Sequence, residues 1–477
     1  MTATDEQIHD PGSGDAETGL KRSITGRQLF FYTLGDVLGS GIYVLIGLVA
    51  AAVGGAFWIA FAVGVTIATI TGSAYAELVT KYPKAAGAAL YVNKAFGSKA
   101  LAFLVTVSFL SASFAAAGSL ASGFAAYFAE LWPGPSTLLV MILFIVALSV
   151  VNFIGITESV VINMLMAFVE IAGLLIILLT GIWYLVEGDP DFSTLVEFDT
   201  GGTSPALAIL AGVALSFFAM TGFENTANVA EETVDPYKAF PRSLIGGMAV
   251  AGVVYVLVSI TAALTVDTKS LAGSDAALLE VIKQGILPVS TDAMTTVFAV
   301  IAMIAITNTT LVAVVTQPRI LYGMANEDVV PAVFQRLHAG RRSPWVGLLF
   351  SGVIVVALLV VGTLLTQAGS GLDLVARLAT VTVLFLLFIY ALVIVSALKL
   401  RGQDEDERTF RANTPLLVVG LVGNVAIFCW SVYDDPTSLL WCAGLVAVGL
   451  VLFLVEYLFG RDDRPEGAER GDPSLKS

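Results

Sequence analysis

Two cysteines and two histidines in 477 residues leave little room for redox or metal chemistry. Cys429 and Cys442 both sit inside apolar runs and form neither a disulfide framework nor a CxxC spacing. His9 and His338 fall in polar stretches, which argues against a haem, a His-ligated metal or a histidine proton relay within the apolar segments. Charge is scarce too. Asp, Glu, Lys and Arg make up 13% of the chain, against roughly 25% in an average soluble domain. That deficit rules out a soluble enzyme and a disordered chain. Basic residues are the rarer sign, 24 against 38 acidic ones, for a net charge of -14. Such a balance repels nucleic acid. It suits carboxylate-rich loops and tails, either those of a protein from a high-salt cytoplasm or an ordinary acidic surface. The apolar segments hold no HExxH, no Asp-rich metal motif and no Ser–His pair, so neither enzyme chemistry nor a cofactor is expected.

What is present is apolar. Hydrophobic residues make up 57% of the chain, and mean hydropathy is +0.87. They fall in runs of about 18 residues or more, long enough to cross a hydrocarbon core of about 30 Å at about 1.5 Å per helical residue. The chain therefore reads as an all-α integral membrane protein with twelve spans. These are 28–53, 56–80, 100–128, 136–156, 159–186, 205–230, 243–266, 293–318, 345–366, 374–398, 414–433 and 437–459. A cytoplasmic tail over 1–26, a transmembrane domain over 27–460 and a second cytoplasmic tail over 461–477 complete the expected organisation. The N-terminal stretch lacks the n-region and h-region of a signal peptide. Lys and Arg set the orientation. Nearly all of them, from Lys21 and Lys81 to Arg401 and Arg461, fall on one side, and the other side has Lys269 and Lys283. Both termini are thus expected in the cytoplasm of a cell whose membrane the chain crosses many times.

A spanning helix satisfies its own backbone, and irregular backbone at membrane depth survives only where it lines a cavity. Two spans carry glycine signals for such a break: Gly39-Ser40-Gly41 in the first and Met220-Thr221-Gly222 in the sixth. Glycine also serves plain helix packing in membranes. Here, however, the signals recur at corresponding points of spans 1–5 and 6–10, the mark of an inverted-repeat transporter with a midplane site. The half-helix directions then suggest the ligand. Beyond the first break, the N–H groups of Ser40, Gly41 and Ile42 are expected to be free and to face an anion. Carbonyls at Val37 and Leu38, and at Phe218 and Ala219, are expected to lack partners and to face a cation. An N–H cluster beside a carbonyl cluster matches a zwitterion, and an α-amino acid is the obvious small one.

Four stretches carry a family likeness: GSGIY in span 1, YAELVTKYPKAAGAALYVNKAFG after span 2, FFAMTGFENTANVAEETVDPYKAFPRSL from span 6 and QPRILYGMANEDVVPAVF after span 8. In them the chain resembles an amino acid permease of the amino acid–polyamine–organocation superfamily. The resemblance implies the 5+5 inverted repeat of the leucine-transporter-like group, with helices 1 and 6 discontinuous. Repeat one would cover about 28–186, repeat two about 205–398, and two extra helices 414–459. It also implies that Gly39, Ser40, Gly41 and Ile42 hold the substrate carboxylate, while Val37, Phe218, Ala219 and Thr221 offer carbonyls to its ammonium. Phe218 falls where the family places an aromatic lid, although a packing aromatic is the plain alternative. PKAAGAALY departs from the family in having one Gly where two are frequent.

Ionisable groups at bilayer depth cost roughly 2.5–3.5 kcal/mol or more each when charged at the centre. Glu170 lies near the middle of span 5, and no Lys or Arg within the spans is an obvious partner. It must be protonated, hydrogen-bonded or bound to a cation, as a proton carrier or as a neutral structural group. In some proton-coupled members of the resembled family a Lys takes this place, so their mechanism does not simply transfer. Glu224 is expected to anchor the second break, and Asp36 to cap a vestibule or coordinate a cation. Thr307, Asn308, Thr309 and Thr310 form a polar patch in span 8 that suits Na+ or ordinary helix–helix hydrogen bonding. Glu77, Glu231 and Glu232 read as salt-bridged gate or loop residues. The expectation is a secondary active transporter that moves amino acids by alternating access, coupled to protons (or Na+) or working as an exchanger. Neutral or cationic amino acids are preferred, since an acidic side chain finds no counter-ion near the midplane. A polyamine or organic-cation carrier and a non-transporting amino acid sensor are the alternatives.

Overall fold

The computed structural model describes residues 24–459 except 85–86, 155–159, 200–201, 203, 231, 328, 342 and 404–405. The two expected tails lie outside these residues apart from 24–26, as does Glu231. Among the described residues, ten helices are long and apolar enough to cross a membrane. They are α3 (Trp58–Lys81), α5 (Lys99–Leu131), α6 (Thr137–Ile154), α7 (Val160–Glu187), α9 (Pro236–Thr265), α12 (Thr291–Asn326), α13 (Trp345–Gln367), α14 (Leu374–Lys399), α15 (Thr414–Asp434) and α16 (Ser438–Phe459). Helices α1 (Gly26–Val37) and α2 (Gly41–Val53) reach that length together, bent by 42° at the residues between them. The shorter apolar helix α8 (Pro205–Ala219) is followed by a 3-10 turn over Phe223–Val229. Three short helices, α4 (Gly87–Phe96), α10 (Thr268–Ala272) and α11 (Ala277–Lys283), lie in connections. Among the described residues there is no strand, and a lone parallel bridge joins Ile24 to Thr233.

The burial pattern is that of a bundle sitting in hydrocarbon. Large apolar side chains such as Leu143, Val353, Val422 and Leu440 are exposed, as lipid-facing residues should be. Helix α14 is largely buried in the bundle, whereas α16 is mostly exposed. The ends of the helices are set by side-chain caps. Thr25 and Gln28 form a capping box for α1. Ser98, Ser204, Ser290, Asp373 and Asn413 accept first-turn N–H groups of α5, α8, α12, α14 and α15.

Three boundaries differ from the sequence expectation. Helix α9 begins at Pro236, because a proline at the first helical position gives up only an N–H that would be unpaired anyway. Helix α12 runs through Pro318 to Asn326. That proline removes one intrahelical bond, but Leu321, Met324 and Ala325 beyond it are buried and hold the last turns in place. The expected span 205–230 stops as an α-helix at Ala219, since Gly222 at φ 115° leaves the helical region.

One end of the bundle is fastened by a buried ion pair. Arg401, just past α14, meets Glu77 of α3 through two parallel bonds of 2.8 Å. The side chains are 11% and 5% exposed. Glu77 also accepts the Ala412 N–H at 2.9 Å, and Arg401 donates to the Ala412 carbonyl at 2.7 Å. Lys81 adds a bond to the Leu400 carbonyl. Removing one partner of a buried pair costs about 3–5 kcal/mol. Arg401→Ala is therefore expected to lower the melting temperature of the detergent-solubilised protein substantially. Arg401→Lys should recover only part of it, because an ammonium cannot make the paired fork. An unchanged melting temperature in Arg401→Ala would show that this end is held by other contacts.

Candidate substrate site

The two interruptions meet in space. Residues Leu38 to Ser40 separate α1 from α2, and Gly41 opens α2. A Cβ at Gly41 would stand 2.5 Å from the Ala219 Cα, so the end of α8 rests directly on the start of α2. At Gly222, which is left-handed, a Cβ would stand 2.7 Å from the Asp36 carbonyl oxygen. Each break is thus packed backbone to backbone against the other. Glu224 fixes the second one by accepting the Gly222 N–H at 3.0 Å and the Tyr390 hydroxyl at 2.8 Å. Asn225 donates to Asp36 at 3.3 Å. The rings of Phe223, Tyr75 and Tyr390 pack around this corner with centroids 5.1 to 6.1 Å apart.

The polar backbone at the breaks is more fully paired than half-helix logic alone suggests. Ser40 N–H, expected to be free, donates to Thr309 Oγ1 at 3.1 Å. The Val37 carbonyl, also expected to be free, accepts the Tyr255 hydroxyl at 2.6 Å, and the same hydroxyl lies 3.3 Å from the Gly39 carbonyl. The Phe218 carbonyl accepts the Thr221 N–H at 3.1 Å and its hydroxyl at 2.8 Å, because the chain folds back on itself there. Among the described residues, the N–H groups of Gly41 and Ile42 and the carbonyl of Ala219 have no such partner.

A cavity of about 80 Å³ opens where the breaks meet. This holds a handful of water molecules, or one small solute of similar bulk. Asp36, Gly39 and Gly41 line it from the first break, and Phe218, Ala219, Thr221, Gly222, Glu224 and Asn225 from the second. Helix α5 contributes Phe109, Ala112, Ser113, Ala116 and Leu120, and α12 contributes Thr309, Val312, Ala313 and Thr316. Both sets follow the helical i, i+3, i+4, i+7 rhythm of a single face. Thr382 and Leu386 of α14 complete the wall, which contains no Lys, Arg or His.

Of the residues singled out in the sequence, Asp36, Gly39, Gly41, Phe218, Ala219, Thr221 and Glu224 line this cavity, whereas Val37, Ser40 and Ile42 are buried behind it. Thr307, Asn308 and Glu170 are not part of the wall. The Thr307 hydroxyl donates to the Met303 carbonyl of its own helix at 2.7 Å. Thr309 is the hydroxyl of that patch that reaches the break. Its phase with Val312, Ala313 and Thr316 was the available signal. Glu170 is fully buried on α7 and neither carboxyl oxygen has a hydrogen-bond partner, although the Asn308 side chain lies alongside. Tyr43 of α2 donates to the Glu170 backbone carbonyl at 2.8 Å.

A second, wider cavity of about 1340 Å³ lies farther along α5. Glu130, Asp275, Glu280 and Asp373 line it. Lys283 offsets part of that charge through bonds to Glu130 and Glu280 at 2.8 and 3.1 Å. Burial, and then the neighbouring Asp373 charge, push the Asp275 carboxyl above the ordinary carboxylate range. Between the cavities, Ser119 of α5 donates to the Val375 carbonyl of α14 at 3.0 Å, beside the buried Leu120.

Membrane-length helices around a small, partly polar internal cavity define a permease-like architecture. The amino acid permease family model matches residues 24–463, and the chain belongs to that family. It is thus a multi-pass membrane protein. The methylthioribose transporter of Bacillus subtilis (strain 168) is 24% identical over 465 residues, which cover 93% of this chain and 94% of that protein. The branched-chain amino acid permease of the same organism is also 24% identical, with 93% and 92% covered. Cationic amino acid transporter 9, chloroplastic, of Arabidopsis thaliana is 26% identical over 68% of this chain and 58% of its own length. Among solved structures, a mutant manganese transporter of Eremococcus coleocola superposes with a TM-score of 0.61 at 14% identity, covering 94% of this chain and 96% of that one. At that identity the likeness is one of fold.

The contact at Gly41 makes a sharp prediction. Gly41→Ala puts a methyl group into the Ala219 backbone, which costs about 1–3 kcal/mol if the helices are forced apart. The protein should stay folded, as judged by size-exclusion chromatography, while affinity for the transported solute falls by tenfold or more. Ser40→Ala, which keeps every backbone group, should bind close to wild type. Equal affinity in Gly41→Ala and wild type would place the ligand elsewhere.

Proposed function

We propose that the chain is a secondary active transporter that moves amino acids across the cell membrane by alternating access, taking neutral or cationic ones in preference to acidic ones. One observation carries this reading: among the described residues the N–H groups of Gly41 and Ile42 and the Ala219 carbonyl have no hydrogen-bond partner, and Gly41 and Ala219 both line a small cavity with no basic side chain among its described residues. The helix end favours a carboxylate at Gly41 and Ile42. Ala219, with Asp36 and Thr221 nearby, offers oxygens to an ammonium, and Phe218 closes one side. The acidic wall of the wider cavity favours cationic over anionic solutes on approach. Membership of the amino acid permease family, and relatives that include a branched-chain amino acid permease and a cationic amino acid transporter, support the substrate class.

Ten membrane-length helices, the bent pair and α8 with its 3-10 extension make twelve spans in this reading. The first ten form the 5+5 repeat, helices 1 and 6 are discontinuous, and both termini lie in the cytoplasm. Uptake of labelled amino acids into proteoliposomes, with unlabelled competitors, tests the function. Leucine, alanine or lysine should compete more strongly than glutamate. Strongest competition by glutamate would refute the preference, and binding without any uptake would favour a sensor.

Coupling is assigned to a proton at Glu170, a fully buried carboxyl with no cationic partner among the described residues and the Asn308 side chain alongside. Glu170→Gln mimics the protonated group. It is expected to keep substrate exchange and to lose acceleration by an inward proton gradient. Full proton-driven accumulation by Glu170→Gln would remove this residue from the coupling step.

A further inference from the structure

At the first break one hydroxyl serves two carbonyls: Tyr255 Oη lies 2.6 Å from the Val37 oxygen and 3.3 Å from that of Gly39. We infer that Tyr255 closes this break to metal cations by placing a neutral hydroxyl where a sodium ion would otherwise find its carbonyl ligands. The inference deepens the transport reading by naming the residue that sets the choice of coupling ion.

The carbonyls themselves are suited to a cation. They stand at the C-terminal end of α1, where the helix dipole is negative. A hard cation needs several oxygens at roughly 2.3–2.6 Å, and the Tyr255 oxygen fills that space beside Val37. Tyr255 is held firmly there. It is fully buried on α9, and its ring meets Phe61 edge-on with centroids 6.2 Å apart. Thr309 Oγ1 accepts the Ser40 N–H at 3.1 Å, and the Thr307 and Thr310 hydroxyls donate to carbonyls of α12 at 2.7 Å each. A hydroxyl satisfies the break without bringing a charge into the bilayer interior, which leaves the proton as the mobile charge of the cycle.

Tyr255→Phe keeps the ring and removes the plug, so two buried carbonyls lose their donor and become available to a cation or a water molecule. The test is the melting temperature of the detergent-purified full chain in sodium chloride and in choline chloride at matched ionic strength. Wild type is expected to melt at the same temperature in both salts. Tyr255→Phe should melt several degrees lower in choline chloride, and sodium should restore at least half of that loss. Sodium stabilisation of the wild type would overturn the assignment, as would a Tyr255→Phe protein that melts identically in the two salts. Should Tyr255→Phe fail to fold, the wild-type comparison decides, seconded by uptake into proteoliposomes at constant pH. Uptake driven by a sodium gradient would overturn the inference. Absence of any uptake would count against the transport reading alone and leave the melting result standing.

Discussion

Two interrupted helices rest on each other at their breaks, and the rest of the molecule is arranged around that contact. Gly41 lies against Ala219 and Gly222 against Asp36, at separations that any side chain on either glycine would open. The contact interrupts two hydrogen-bond ladders, and several of the groups left over find partners elsewhere in the fold. They come from far away in sequence. Tyr255 of α9 serves α1, Tyr390 of α14 serves Glu224, and Thr309 of α12 serves Ser40. This accounts for Tyr255 and Tyr390 among the fully buried aromatic side chains of the core. A tyrosine brings a polar tip on an apolar body, which is what a break in hydrocarbon requires.

Three buried glutamates show three ways of placing a carboxyl in such a core. Glu77 has a paired guanidinium and a backbone N–H. Glu224 has an N–H and a phenol. Glu170 has neither, with a single amide side chain alongside. The series runs from a group held as part of the scaffold to one whose state is left open. Residues of the first two kinds hold elements together: Glu77 ties α3 to the segment after α14, and Glu224 ties the second break to α14. Glu170 ties nothing through its side chain, and its backbone carbonyl makes the link to Tyr43.

Much of this was legible in the sequence, for reasons that can be named. Apolar runs gave the ten membrane-length helices because hydrocarbon demands such lengths. Gly39, Gly41 and Gly222 marked the breaks because irregular backbone at depth needs glycine. Both breaks do line one cavity with Phe218, Ala219 and Thr221. The pairing of individual carbonyls was not legible. Val37 and Phe218 look free when helices are drawn as cylinders, yet one is met by a hydroxyl 218 residues away and the other by its own turn. The polar patch of α12 was legible in composition and not in orientation. Composition located it, but Thr307 and Thr309 differ by about 200° around the helix, and only the packed structure decides which of them faces the break. The break after α8 was read at Gly222, but the 3-10 form of Phe223–Val229 beyond that left-handed glycine was not.

The bridge between Ile24 and Thr233 joins the beginning of the described chain to the segment leaving the second break. Ile24 donates to the Glu232 carbonyl at 2.9 Å and accepts the Val234 N–H at 2.8 Å, and Ser243 holds Gly26 at 3.0 Å. Tension applied ahead of Ile24 is therefore delivered to the stretch between Val229 and Pro236 as well as to α1. A fluorescent reporter or affinity handle fused close to that point would tug on the 3-10 turn behind Glu224. The same handle attached after Phe459 would load α16, none of whose residues borders either cavity. The two ends of this polypeptide are thus unequal places to attach cargo.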